Sequence, residues 1–187
     1  VSKVAVNLPP SGMATISMDF MGQDVTTASS QYFTSPTAVT TTGVLAAVNG
    51  VVRLNGATVA ILTGLSLNID VGYSGDAVVG SNIVPAMFPG SIKVSGQATA
   101  YFQDVTLRDV FLNETEVDLY AAFTSDNTAA ADFVAFSLPR IKLGGAGKSD
   151  GQGGIIQTLP FTALFNKNGG AGIATEATTL SVQDSAA

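Results

Sequence analysis

Gly64-Leu65-Ser66-Leu67-Asn68-Ile69-Asp70-Val71-Gly72 alternates apolar with polar side chains between two glycines. A period of two places Leu65, Leu67, Ile69 and Val71 on one face of an extended strand. The same period recurs on either side of it. Upstream, Ile16, Met18 and Phe20 alternate with Thr15, Ser17 and Asp19, which predicts a half-buried strand. Downstream, Ile92, Val94, Ala98, Ala100 and Phe102 oppose Lys93, Ser95, Gln97, Thr99 and Tyr101. Gly96 interrupts that face and predicts a bulge or a close backbone approach. Val117, Leu119, Ala121 and Phe123 alternate with Glu116, Asp118, Tyr120 and Ala122. Val134, Phe136 and Leu138 run into Pro139 before Ile141 and Leu143 resume, and a proline there demands an edge position or a bulge. Residues 155–165 read as a further strand, again with a proline inside, and residues 178–182 are placed to close the sheet.

Asn49-Gly50 and Asn55-Gly56 sit between β-prone residues, and Asn-Gly accepts the positive φ of a two-residue hairpin turn, so a hairpin is expected at one or both. A single segment changes period. From Asp104, a residue suited to capping, Leu107, Val110 and Phe111 fall at i, i+3 and i+4, predicting one short flanking α-helix over residues 104–113. The fold expected is mainly β, a sandwich or barrel of antiparallel strands forming one domain over residues 1–187, with long loops at 26–43, 72–90 and 144–154. Connections beyond ~12–15 residues are uncommon unless they bind something. Tyr32 and Phe33 in the first, and Met87 and Phe88 in the second, are the candidate inter-subunit anchors. Folding back onto their own domain is the competing reading.

Composition excludes several kinds of chemistry. With no cysteine and no histidine, the chain has no disulfide, thiolate nucleophile, usual zinc site or histidine general base. Gly147-Lys148-Ser149 ends like a phosphate-binding loop, but Lys142 stands where that motif needs its first glycine. The acidic run Glu114-Thr115-Glu116-Val117-Asp118 lacks the spaced ligands and central glycine of a calcium loop. No catalytic residue, cofactor site or metal site is therefore expected. Mean hydropathy is +0.37. Even so, the uncharged stretch 54–69 falls short of the ~20 apolar residues of a spanning helix, and no membrane association is expected.

The run from Pro89-Gly90-Ser91-Ile92 to Tyr101-Phe102-Gln103-Asp104, followed by Leu107 and Phe111, resembles the central block of tailed-bacteriophage tail tube proteins, also called major tail proteins. So do Phe136-Ser137-Leu138-Pro139-Arg140-Ile141-Lys142, the glycine-rich stretch after it, and Gln157-Thr158-Leu159-Pro160-Phe161-Thr162-Ala163-Leu164-Phe165. Ala14-Thr15-Ile16-Ser17-Met18-Asp19-Phe20-Met21-Gly22-Gln23-Asp24 is similar to an earlier strand of the family. The resemblance implies a structural, non-enzymatic subunit of the virion, assembled in the host cytoplasm. It would self-assemble into stacked rings, either hexamers or pseudo-hexameric trimers, that conduct DNA during ejection without binding it specifically. It also implies the tape measure and other tail proteins as partners, and a chain that is the C-terminal portion of a longer member. Another self-assembling or adhesive β-protein, such as a fimbrial or surface-layer subunit, is the alternative, and a carbohydrate-acting enzyme with paired acids stands behind it.

Eight basic residues oppose fourteen acidic ones, a net charge of −6. Affinity for a phosphate backbone grows with each phosphate neutralised. Random-sequence duplex DNA is therefore expected to migrate unretarded with sub-micromolar protein in ordinary salt. Retardation in that gel-shift assay would instead indicate a nucleic-acid-binding role.

Overall fold

The computed structural model describes residues 1–36, 43–59, 61–128, 130–151, 154–167 and 177–185. Among these, the strands in chain order are β1 (Lys3–Leu8), β2 (Thr15–Asp19), β3 (Val51–Leu54), β4 (Ala57–Thr58), β5 (Leu62–Asp70), β6 (Lys93–Tyr101), β7 (Val117–Thr124), β8 (Phe133–Leu143), β9 (Gly147–Gly151), β10 (Gly154–Ala163) and β11 (Ser181–Asp184). One helix, α1 (Thr106–Leu112), follows β6. The pairings are antiparallel and run β2-β1-β5-β6-β10-β8-β7-β3-β4, with β9 on β10 and β11 on β8.

The middle of that path is its narrowest point. β8 and β10 are in register only at Phe161↔Leu143, Thr162↔Lys142 and Ala163↔Ile141. The start of β10 takes β9 as its neighbour on that side, and the start of β8 takes β11. The two halves of the sheet diverge from this corner and close face to face. Val6, Leu67, Val94, Leu159 and Phe161 of one layer join Leu119, Phe123, Phe136, Leu138 and Ile141 of the other in one buried cluster. A void of about 20 Å³ is lined from both sides, by Ala98 and Leu159 on one and Val52 and Leu119 on the other. The molecule is thus a β-sandwich, and each fully buried Leu, Ile or Phe contributes ~1.5–3 kcal/mol to holding its layers together.

Both prolines mark the corner. Leu119 faces Leu138, yet Val117 faces Ile141, so β8 carries one extra residue at Pro139-Arg140. This bulge switches the core-facing side chains from Phe136 and Leu138 to Ile141 and Leu143, as the sequence demanded. Pro160 offers its carbonyl to the Gly144 N–H (2.7 Å). Its missing N–H faces that same side, where the neighbour of β10 changes from β9 to β8.

Gly96 lies in unbroken register with Leu67 on one side and Phe161 on the other, so it marks a close approach and not a bulge. A Cβ there would collide with the Phe161 ring and the Ser66 carbonyl. Asn55 (φ 51°) and Gly56 (φ 73°) form the expected two-residue turn between β3 and β4. Asn49-Gly50 forms no hairpin. It ends a 3-10 turn at Ala47–Asn49, where the Asn49 side chain donates to the Ser125 carbonyl (3.2 Å). Asp104 accepts the Thr106 N–H (2.8 Å) one residue before the helix cap at Val105, and Leu107, Val110 and Phe111 pack half-buried on the core.

The loop expected over 144–154 is corrected. Gly147–Gly151 is a strand, because the overhang of β10 offers free backbone groups and pairing with them overrides the poor β-propensity of Gly, Lys and Ser. Loop 72–90 has no strand, only the bridge Ser74↔Phe88. Residues 37–42 of the 26–43 loop and 152–153 of the third lie outside the described residues. Gly96→Ala is expected to lower unfolding stability by about 1–3 kcal/mol in chemical denaturation, the usual cost of forcing a methyl into a filled site.

Candidate assembly surface

β2 is an edge strand paired only with β1. Val6↔Ile16 and Val4↔Met18 set Ile16 and Met18 on the core side of the sheet, yet Ile16 is 52% exposed and Met18 51%. The expectation of a half-buried strand is therefore met in conformation but not in burial. The second layer does not reach this edge, so the inner face continues past it, uncovered. Phe20, Met21 and Val25, just beyond the strand, are exposed as well.

The register fixes which loops lie together. Lys3 pairs with both Asp19 and Asp70, and Asp70 pairs with Lys93, so the 20–36 and 72–90 segments leave from the same end of the sheet. A hydrogen bond from the Val84 N–H to the Gln23 carbonyl (3.2 Å) ties them. Tyr32 is 87% exposed, and its ring meets that of the exposed Phe33 edge-on at 5.2 Å. Phe88 is 64% exposed, held by reciprocal backbone bonds with Ser74 (2.9 and 3.0 Å), whereas Met87 is half-buried. The sequence reading missed Ile16, Met18 and Phe20 as surface residues, since alternation looks the same whether the apolar row meets its own core or another molecule.

The opposite face of the same layer is polar. One cross-strand row reads Asp19, Lys3, Asp70, Lys93, with alternating sign and Lys3 Nζ 3.8 Å from Asp70 Oδ2. The rows behind it carry Ser17, Ala5, Asn68 and Ser95, then Thr15, Asn7, Ser66 and Gln97.

On the second layer, two acidic side chains just before β7 pair with two cations of β8. Arg140 donates from Nε and Nη2 to the two carboxylate oxygens of Glu116, both at 2.7 Å, and from Nη1 to the Phe165 carbonyl (3.1 Å). Lys142 Nζ donates to Glu114 (2.6 Å). The hydrogen bond from Lys142 holds the Glu114 carboxyl below its ordinary range, and that from Arg140 does the same for Glu116. Lys148 stands in β9 with its ammonium 3.3 Å from the centre of the Phe102 ring, a cation–π contact in place of a phosphate cradle. Among the described residues no group of three or more acidic, His or Cys side chains could hold a metal ion, and no helix is long and apolar enough to cross a membrane.

The sandwich exposes apolar side chains along the β2 edge and in the 20–36 and 72–90 segments, and also at Val48, Leu112, Phe165 and Val182, which is the surface of a subunit that associates with others. The family model described as phage tail tube protein matches residues 1–163, and the chain belongs to that family. It is a structural subunit of the phage tail, built into a multi-subunit tube with other tail proteins. Membership leaves the fimbrial and surface-layer alternative without support and suggests a non-enzymatic role. Among solved structures, the SPP1 tail tube, determined by solid-state NMR and cryo-EM, is similar at 13% identity with a TM-score of 0.35, covering 86% of this chain and 72% of that one. Comparison with curated protein sequences gives no match.

The Glu116 carboxyl is held below its unfolded value by Arg140, so its contribution to stability is present above that unfolded value and lost as pH falls through the lowered one. Arg140→Ala is expected to lower the melting midpoint at neutral pH. The pH-dependent part of the difference from the unmodified protein should vanish towards acid, as followed by circular dichroism across pH.

Proposed function

We propose that the chain forms the tube as stacked rings, each with six copies of the fold, as a hexamer or a pseudo-hexameric trimer. The uncovered inner row of β2 is the lateral contact. The observation that carries this reading is that a core-side apolar row, Ile16 and Met18, continues past the second layer beside an edge strand with one free side. Burying such a row against a neighbour extends the sandwich core across the ring, as permanent interfaces do. The 20–36 and 72–90 segments, with Tyr32, Phe33, Met87 and Phe88 as anchors, make the contacts at their end of the subunit.

The polar face of β2, β1, β5 and β6 then lines the lumen. Its charges cancel in cross-strand pairs, and Arg140 and Lys142 are already engaged by Glu116 and Glu114. Few cations remain to hold phosphates, which suits a conduit through which DNA passes without specific binding. The tape measure and other tail proteins are the chain's partners, and assembly takes place in the host cytoplasm without catalysis by the subunit.

Met18→Asp and Phe88→Asp are each expected to leave the circular dichroism spectrum unchanged while abolishing tubes in negative-stain images. Normal tubes from Met18→Asp would overturn the β2 contact. Normal tubes from Phe88→Asp would remove that residue from the interface.

A further inference from the structure

The chain has four methionines, and their distribution is uneven. Met13, Met18 and Met21 all lie on or beside β2, with exposures of 61%, 51% and 44%. The fourth, Met87, is half-buried next to Phe88 in the 72–90 loop. The buried core cluster is built instead from Val, Leu, Ile, Phe and Ala. Unbranched, polarisable thioethers suit a surface that must fit a neighbour of imperfect complementarity. They are also the chain's readily oxidised side chains, since it has no cysteine.

We propose that the methionines flanking and forming β2 are an oxidation site that controls assembly: peroxide acting on the free subunit converts them to sulfoxides and blocks the lateral contact, and burial in the tube then protects them. In the reaction a sulfur lone pair attacks one oxygen of hydrogen peroxide and the O–O bond breaks. The sulfur gains that oxygen as a sulfoxide, losing two electrons, and the other oxygen leaves as water once it has taken up the proton. Met18 is the decisive position, because it stands opposite Val4 in the uncovered inner row. A sulfoxide there places a strong acceptor where the neighbour presents apolar atoms, and a buried acceptor without a donor opposes association.

The inference rests on β2 being the lateral contact, and the test separates the two. Free subunits and assembled tubes of the full chain are treated with dilute hydrogen peroxide, and sulfoxide at each methionine is quantified by peptide mass spectrometry. Met18 is expected to oxidise severalfold more slowly in tubes than in free subunits. Oxidised subunits should form few tubes, and the yield of tubes from the triple variant M13L/M18L/M21L, whatever its level without peroxide, should be the same after peroxide treatment. Equal oxidation of Met18 in both states, together with tubes from Met18→Asp, would overturn the lateral contact itself. If Met18→Asp fails to assemble while sulfoxide-bearing subunits assemble normally, or if the triple variant stays sensitive to peroxide, the contact stands and the oxidation site is overturned.

Discussion

Three residue pairs between β8 and β10 hold the architecture together. Over Leu143, Lys142 and Ile141 the sheet is continuous, and beyond them the two strands take different partners. A wider junction would keep the sheet open and leave its apolar face in water. Without the junction, face-to-face packing alone would set how the two layers lie on each other. The bulge at Pro139-Arg140 and the absent N–H of Pro160 fall at this point because each permits a change of neighbour there without leaving a ladder hydrogen bond unmade.

From that corner follows the unequal reach of the two layers. The layer ending in β2 extends past the one opposite, and its inner row becomes surface. The same hydrophobic term that closes the sandwich therefore remains available at one edge for association. On the second layer Glu114 and Glu116 neutralise Lys142 and Arg140. Attraction outside the apolar row is correspondingly weak, since exposed ion pairs contribute little.

Much of this was legible in the sequence. The alternation of β5, β6 and β7, the helix on Leu107, Val110 and Phe111, and the turn at Asn55-Gly56 each follow from a local rule, and local rules suffice where burial and conformation agree. Gly96 and Pro139 announced irregularities whose type only the register decides. Less legible were elements defined by a distant partner. β1 is short and begins three residues into the chain, and β9 is Gly147-Lys148-Ser149-Asp150-Gly151, with no apolar residue. The exposure of Ile16, Met18 and Phe20 was hidden for a related reason, because nothing within those residues says how far the opposite layer extends. Loop length and aromatic content singled out Tyr32, Phe33 and Phe88, which stand exposed, together with Met87, which is half-buried.

The two ends of the strand order differ in a way that bears on misassembly. β2 offers five residues at its edge, whereas β4 at the other end has only two, Ala57 and Thr58. Sheet-to-sheet growth of the amyloid kind needs an edge on each side long enough to template the next chain. β9 and β11 also have one free side, with five and four residues, but they carry Lys148 and Asp184, charges of the kind that blunt an edge. β2, with its apolar row, is thus the strand offered to a neighbour, while ribbon growth is opposed at the others during the interval when subunits are abundant and unassembled.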